Sequence, residues 1–258
     1  MKISHETPFE MMDYFRENIN DYDYALVHLF EYPSYKEFFI ESLENDRTVY
    51  LDNSIYELGT AFDPKKFAKI AKELYEINSD NLVVIMPDVF DDYKQTLANA
   101  IEFEKLVPGD MRKMLVLQGK TTEELMKCYT ENKTQVDLIG INHLSAAFGD
   151  DFEEKSANRI KFVKKFSKIS KISKHKIHLL GVLSPFEVLA LSDIKNIESV
   201  DTSNPVCYGL EGSRYPDSIF RKPLYTIDKF IKDNNKVNPQ QFITAVLNAK
   251  DFRALANS

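Results

Sequence analysis

The chain has 258 residues, of which 43% are hydrophobic and 28% are charged, and its formal net charge is −7. These fractions are typical of a globular protein and exclude a disordered, collagen-like or coiled-coil chain. No apolar run reaches the roughly 18–20 residues of a membrane-spanning helix, and the acidic N-terminus is unlike a signal peptide. We therefore expect a cytoplasmic protein that has no membrane partner.

Seven short apolar runs, each bounded by polar or turn residues, predict β-strands. They cover residues 24–30, 48–51, 82–86, 114–117, 137–141, 177–180 and 197–200, and an eighth strand is predicted near 223–227. Helical patterns separate the strands at residues 34–46, 63–79, 91–106, 121–132, 153–173 and 184–195, and a last helix begins at 238–239.

Three of these helices carry recognisable N-terminal signals. Asp63 stands before a proline, the arrangement of an N-cap residue followed by proline at the first helical position. Thr121 with Glu124, and Ser184 with Glu187, have the spacing of capping boxes. These signals support alternating strands and helices along the chain.

Strands that are apolar on both faces and are followed by helices indicate a parallel sheet covered by helices. Eight such units fit an α/β fold of the (β/α)8 TIM-barrel type, whose usual size is ~250 residues. The alternative is a doubly wound open sheet, which usually carries a glycine-rich phosphate turn after its first strand; none follows residue 30. We predict a single domain over residues 1–258, with a barrel core at 24–230 and a C-terminal helix at 239–256.

Polar residues follow the predicted strands, at the end where parallel barrels place their chemistry. These residues are Asp52, Asn53, Asp88, Gln118, Gly119, Asn142, His143, Gly181 and Asp201. Each residue alone could be a helix cap or a turn former. Three carboxylates that meet at one rim would instead take different pKa values and therefore different roles.

The residue types narrow the chemistry that such a rim could perform. With only Cys128 and Cys207, the chain cannot build a disulfide scaffold or a site of three or four thiolates, and we predict no metal and no cofactor. Carboxylates suit nucleophilic and acid–base roles at an anomeric carbon, while Gln and Asn can read the edge of a flat heterocycle. The pattern therefore points to glycosidic-bond chemistry on a nucleoside.

Six motifs in the same region resemble one enzyme family. In chain order they are LDNSIY at 51–56, MPD at 86–88, VLQG at 116–119, IG at 139–140, LGVLSP at 180–185 and VDTSNP at 200–205. They are similar, in the same order, to motifs of the tRNA-guanine transglycosylase superfamily, barrel enzymes that exchange guanine for a 7-deazaguanine. The matches span residues 48–205.

The resemblance implies a covalent double displacement. Asp201 would attack C1′ of the target nucleotide and expel guanine, and Asp52 would deprotonate the incoming base. Asp88 and Gln118 would hydrogen-bond the base, and the amide of Gly140 would read its carbonyl oxygen.

Four further residues complete the expected substrate site. Tyr56 and Leu180 would sandwich the ring of the base, although each could instead be an ordinary core residue. Asn53 and Gly181, which follow the same strands, are expected to contact the substrate as well.

The departures from the family point to one of its branches. Ser54 and Ile55 replace two glycines, Lys120 replaces a third, and the zinc motif C-x-C-x-x-C is missing, so no zinc subdomain is expected. A short barrel of this kind resembles the branch that inserts a 7-deazaguanine such as preQ0 into DNA, which includes phage-encoded forms acting in the host cytoplasm. DNA is thus a more favoured partner than tRNA, and a homo-oligomer is one expected assembly.

Residues 155–176 carry nine Lys or Arg and no acid, which leaves 24 basic against 40 acidic residues elsewhere. An apolar stripe is predicted on this helix, and a basic stripe on another of its faces. The apolar stripe is Ile160, Val163, Phe166, Ile169 and Ile172, and the basic stripe is Lys161, Lys164, Lys165 and Lys168. The basic stripe is either a solvated face or a surface that grips phosphates. Segment 208–215 is a candidate strand-contacting loop. Arg214 and Arg221 are candidate phosphate ligands, although each could instead be an ordinary surface arginine.

Two alternatives remain open. The protein could be a non-catalytic barrel that binds nucleic acid or serves as the partner of an active subunit. It could also be an unrelated barrel lyase or hydrolase that uses its carboxylates, and His143, with a divalent cation.

Overall fold

The structure is a computed structural model that describes residues 1–60, 62–169, 175–215 and 223–258. Eight strands alternate with helices along these residues. The strands are β1 (Lys2–Ser4), β2 (Asp23–Leu26), β3 (Val49–Asp52), β4 (Leu82–Ile85), β5 (Arg112–Leu117), β6 (Leu138–Asn142), β7 (Lys176–Leu180) and β8 (Ile197–Asp201).

Eleven α-helices are found in the same described ranges. They are α1 (Met12–Asn18), α2 (Pro33–Glu44), α3 (Ile55–Leu58), α4 (Pro64–Ile77), α5 (Tyr93–Glu104), α6 (Thr122–Glu131), α7 (Phe152–Phe166), α8 (Pro185–Ala190), α9 (Asn204–Leu210), α10 (Ile227–Lys232) and α11 (Pro239–Ala256). Short 3-10 turns add Phe9–Met11, Val27–Glu31 and Ala146–Phe148.

The parallel strands follow the order β1-β8-β7-β6-β5-β4-β3-β2. Consecutive strands are neighbours, without the reversal of order that marks a doubly wound sheet. The predicted (β/α)8 TIM-type α/β fold is therefore confirmed.

One predicted strand is wrong. Residues 223–226 form no strand, and α10 begins at Ile227. The eighth strand of the barrel is instead β1, which pairs in parallel with β8. In this pairing Ser4 lies opposite Asp201. Three residues are too short for a periodic signal, so this strand is defined by its pairing alone.

The helix signals are confirmed in part. Asp63 caps α4 and Thr121 caps α6, each accepting a hydrogen bond from a backbone N–H of the first turn. Ser184 likewise caps α8, but both predicted capping boxes are wrong. Glu124 accepts a hydrogen bond from the N–H of Lys120 rather than from that of Thr121. The Glu187 carboxylate is buried and pairs with Arg159, because a buried carboxylate is stabilised far more by a cation than by a cap.

The described chain forms two compact units, and the single domain stays a prediction. Unit 1 comprises residues 1–21, 148–174 and 178–258, and unit 2 comprises residues 22–147 and 175–177. Within unit 1, α9 packs on α11 so closely that a Cβ on Gly209 would lie 2.3 Å from the Cα of Ala245. Within unit 2, strands β2 to β6 are almost entirely buried, and Phe67 stacks on Phe103 beside them.

Candidate active site

Three predicted residues of unit 2 meet in one hydrogen-bonded group, which we call the amide–carboxylate cluster: Asn53, Asp88 and Gln118. Each follows one of the neighbouring strands β3, β4 and β5. The Asn53 amide donates to Asp88 Oδ1 at 2.8 Å, and the Gln118 amide donates to Asp88 Oδ2 at 2.5 Å. All three side chains are buried. The sequence-based prediction that these strand ends converge is confirmed for this trio.

The flanking contacts fix the cluster in one orientation. Asn53 also donates to the Met86 carbonyl and accepts from the N–H of Ile55, so both hydrogens of its amide are used within the protein. Gln118 accepts from the N–H of Asp91, which leaves its amide nitrogen directed at Asp88. Asn53 therefore holds one oxygen of Asp88 in place, and Gln118 holds the other.

Burial raises the pKa of Asp88 above its ordinary value of 3.8, and the hydrogen bonds from Asn53 and Gln118 oppose that rise. The two amides stabilise the carboxylate form, whereas loss of water stabilises the protonated form. A buried acceptor of this kind suits a ligand with N–H donors, because such donors stabilise a carboxylate that is removed from solvent.

Asp52 ends β3 and is only partly buried. Its carboxylate accepts from the hydroxyl of Tyr24 at 2.7 Å and from the N–H of Ser54 at 2.5 Å. Ser54 has φ +60°, a left-handed conformation that favours glycine, at a position where the resembled family has glycine. The contact with Asp52 helps to hold this strained turn.

Two further predicted residues of unit 2 differ in their exposure. Gly140 lies in the middle of β6, opposite Val116 of β5, and is buried. Tyr56 lies on the short helix α3 and is 47% exposed, so it is not a core aromatic. The exposed part of this ring lies on the segment that follows β3.

In unit 1, Asp201 ends β8 and belongs to a second group, the Asp201 cluster: His178, Gly181 and Asp201. His178 Nε2 lies 2.9 Å from Asp201 Oδ1, and the N–H of Gly181 donates to Oδ2 at 3.1 Å and to Oδ1 at 3.2 Å. Gly181 has φ +63°, which directs this N–H at the carboxylate and favours glycine. The carboxylate is thus fixed from two sides.

The segment before Gly181 is anchored by a buried ion pair. Arg159 of α7 donates through Nε and Nη2 to the carboxylate of Glu187, at 2.5 and 2.8 Å, and neither side chain is exposed to solvent. Its Nη1 donates to the Leu180 carbonyl at 2.6 Å. Leu180 is partly buried, and its expected contact with a base stays a prediction.

The sequence prediction missed several of these residues. His178, whose Nδ1 lies 2.8 Å from the hydroxyl of Ser199, is a polar residue inside an apolar strand, and that anomaly was the available signal. Arg159 is one of the nine basic residues of segment 155–176, and nothing in its local sequence pattern reveals that it is buried.

The basic stripe is exposed, as expected of a surface that meets solvent or a ligand. Lys161, Lys164 and Lys165 lie on α7, but this helix ends at Phe166 rather than 173, so Lys168 follows it in a turn. The apolar stripe is confirmed at Val163 and Phe166, whereas the rest of the buried face is formed by Ser156, Arg159 and Phe162, which the stripe did not include. Ile160 and Ile169 are half-buried, and Ile172 lies outside the described residues.

The prediction that residues 208–215 form an exposed loop that contacts a nucleic-acid strand is wrong. Tyr208 and Leu210 belong to the buried helix α9, and Tyr215 is buried with its hydroxyl bonded to the Leu183 carbonyl. Arg214 is exposed but pairs with Asp251 at 2.5 Å. Arg221 lies outside the described residues.

Within the described ranges, no three His, Cys, Asp or Glu side chains are arranged to hold a metal ion, and His143 simply follows β6. Both cysteines are buried, and burial raises the pKa of each thiol to about 12, so neither is an activated nucleophile. No helix of that same part of the chain is long and apolar enough to cross a bilayer.

Comparison of the chain with models of known protein families gives no match, and a search of curated proteins gives none either. The two clusters must therefore be interpreted from their own chemistry.

Proposed function

We propose that this protein is a base-exchange glycosyltransferase that replaces guanine in DNA with a 7-deazaguanine such as preQ0. The observation that carries the proposal is the Asp201 carboxylate, which is nearly buried at the end of β8 and is held by the His178 ring and the Gly181 N–H. A fixed, partly desolvated carboxylate suits nucleophilic attack on an anomeric carbon.

In the first half of the proposed reaction, a carboxylate oxygen of Asp201 forms a bond to C1′ of the target nucleotide. The bond between C1′ and N9 breaks, and guanine leaves with the electron pair of that bond and takes up a proton from solvent. The products are a neutral glycosyl ester of Asp201 and neutral guanine, because the proton cancels the negative charge that the Asp201 carboxylate brought to the reaction.

In the second half, the incoming 7-deazaguanine loses a proton from the ring nitrogen that attacks C1′. Asp52 is the proposed base, and the Tyr24 hydroxyl and Ser54 N–H hold its carboxylate. As the new bond to C1′ forms, the ester bond breaks and Asp201 is released as a carboxylate.

The amide–carboxylate cluster supplies the proposed recognition of the base. Guanine and its 7-deaza analogues present N–H donors along one edge, and a buried carboxylate accepts such donors. The proton of Gln118 that is directed away from Asp88 would pair with an acceptor of the base. Tyr56, with its exposed ring, would stack on the base.

The exposed lysines of α7 support the proposal that the protein binds nucleic acid. Exposed cations along one helix neutralise phosphates without reading sequence, and the target nucleotide would then be extruded from its stack. DNA is preferred over tRNA because of the resemblance to the short DNA-modifying branch, and lysines alone favour neither polymer.

The decisive experiment incubates the protein with radiolabelled guanine or preQ0 and either duplex DNA or tRNA, and then measures which polymer gains label. We expect label in DNA, together with a protein–DNA adduct that survives denaturation. Label in tRNA alone would move the assignment to the RNA-modifying enzymes. Nucleic-acid binding without release of guanine would overturn the enzymatic proposal in favour of a non-catalytic barrel, and an EDTA-sensitive activity on a small molecule would favour an unrelated lyase or hydrolase.

A further inference from the structure

The peptide group between Leu180 and Gly181 is held at both of its ends. Its carbonyl oxygen accepts a hydrogen bond from Arg159 Nη1 at 2.6 Å. Its N–H, which belongs to Gly181, donates to both oxygens of the Asp201 carboxylate, at 3.1 and 3.2 Å. One planar, conjugated unit therefore joins a guanidinium cation to a carboxylate anion.

Arg159, the cation in this series of hydrogen bonds, is held in a fixed position. Arg159 is completely buried, and its charge persists because a guanidinium keeps its proton in proteins. Glu187 accepts two parallel hydrogen bonds from it, which fixes the plane of the guanidinium. With Nε and Nη2 engaged by Glu187, Nη1 is directed at the Leu180 carbonyl.

We propose that Arg159 is a positioning residue that acts on Asp201 through the Leu180–Gly181 peptide. A cation on the carbonyl oxygen draws electron density from the peptide and makes its N–H a stronger donor, because hydrogen bonds in series polarise one another. The same contact fixes the left-handed turn at Gly181 that directs this N–H at the carboxylate. The catalytic consequence rests on the proposed function, whereas the polarisation of the peptide does not.

For the proposed reaction, the polarised N–H favours the free carboxylate over the ester. A carboxylate accepts a hydrogen bond much more strongly than an ester does. Arg159 therefore promotes departure of Asp201 in the second half of the exchange. Without Arg159, the ester becomes more stable relative to the free enzyme, and the covalent adduct accumulates.

The test replaces the whole pair, Arg159→Met with Glu187→Met, so that no buried charge is left without a partner. The matched control is Lys36→Met with Glu73→Met, an ion pair of 2.7 Å in unit 2 whose side chains are partly exposed. The chain has only eight glycines, so protein labelled with ¹⁵N-glycine gives a simple amide spectrum. The Gly181 signal is identified by its loss in Gly181→Ala.

We expect the Gly181 amide proton to move upfield in the Arg159/Glu187 variant and to stay in place in the control. If the double variant does not fold, Arg159→Lys serves instead, since it keeps a cation but cannot donate to Glu187 and Leu180 in the same geometry. It should move the signal in the same direction by a smaller amount. An unshifted Gly181 signal in the folded variant overturns the inference, whatever the activity.

Activity gives a second readout. We expect kcat for base exchange to fall about tenfold, the effect of one ordinary hydrogen bond, while KM for the free base changes less than twofold. The fraction of enzyme trapped as covalent adduct should rise. A fall in kcat with less adduct contradicts the inferred role. A shifted Gly181 signal in a protein without any base exchange leaves the inference standing and removes the proposed function.

Discussion

The amide–carboxylate cluster and the Asp201 cluster each hold one buried carboxylate, but by different means. Asp88 is held by the side chains of Asn53 and Gln118, one on each oxygen. Asp201 is held by an imidazole nitrogen and by a backbone N–H that itself depends on Arg159. The first carboxylate is thus held by two side-chain amides at neighbouring strand ends, and the second by a ring and a peptide.

The two ways of holding a carboxylate suit two different tasks, recognition of the base and covalent chemistry. Amide side chains can donate or accept, so a cluster built from them can match the donors and acceptors of a flat base. A ring and a peptide fix the direction of the carboxylate instead, which is what a nucleophile needs for attack on one carbon. The proposed function assigns base recognition to Asp88 and covalent chemistry to Asp201, and substitutions in the two clusters test this difference in role.

The largest effect is expected for Asp201→Asn. An amide is a very poor nucleophile, so base exchange should fall by at least about 10⁴-fold and the covalent adduct should disappear. Label incorporation and adduct yield are the measurements. Asp193→Asn makes the same chemical change on an exposed residue of unit 1 and should leave both unchanged. If the Asp201→Asn variant still exchanged bases, Asp201 could not be the nucleophile, and the two clusters would not differ in role as proposed.

Arg159→Met should have the largest effect on stability. It leaves the Glu187 carboxylate buried without a cation, which costs about 3–5 kcal/mol of unfolding free energy. Urea denaturation should show this loss, and adding Glu187→Met should recover most of it. Lys36→Met, at a partly exposed pair, should cost no more than about 1 kcal/mol. Equal stability of the single and double Arg159 variants would contradict the buried-charge argument.

Asp88→Asn should weaken recognition more than chemistry. One oxygen becomes an amide that meets the donor of Asn53 or Gln118, and an acceptor for the base is lost. We expect kcat/KM for the free base to fall about 10–100-fold, mainly through KM. Asp80→Asn, an exposed change in the same unit, is the control. A loss confined to kcat would instead give Asp88 a role in the chemical step.

The same variant tests the raised pKa of Asp88. Burial makes the pKa of Asp88 higher in the folded protein than in the unfolded chain, where it is near 4. Such a group stabilises the fold fully at a pH below the pKa of the unfolded chain. This stabilisation disappears as the pH rises through the pKa of the folded protein. The unfolding free energy of the wild type relative to Asp88→Asn should therefore fall with rising pH across that window. A difference that rises with pH would mean that the two amides outweigh burial.

The smallest effect concerns the left-handed turn that holds Asp52. Ser54→Gly and Ser54→Ala both remove the hydroxyl, but only glycine adopts φ +60° without strain. After the extra freedom of glycine in the unfolded chain is subtracted, the glycine variant should be more stable by about 0.5–1 kcal/mol. Thermal unfolding of the two variants measures this difference, and equal midpoints would exclude backbone strain at Ser54.

Much of unit 2 could be predicted from sequence. Strands β3 to β6 are short apolar runs, and the residues that follow them come next to one another whenever neighbouring strands are parallel. Asn53, Asp88 and Gln118 were therefore predicted together and do meet. The roles assigned to these residues, by contrast, depended on a family resemblance and remain proposals.

Less of unit 1 could be predicted, because its decisive contacts join distant segments. Glu187 has the spacing of a helix cap and Arg159 lies in a basic run, yet the two form a buried pair 28 residues apart in sequence. β1 exists only through its pairing with β8, and helix α7 ends before its sequence pattern does.

Local sequence patterns predict the alternation of strands and helices, the fold class and the polar residues that end the strands. These features follow from local periodicity and from the fixed geometry of parallel strands. The contacts between polar groups are visible only in the folded chain: His178 with Asp201, Arg159 with Glu187 and Leu180, and Asn53 with Asp88. A hydrogen bond or ion pair depends on distances of a few tenths of an ångström between separate segments, and no pattern within one segment encodes them.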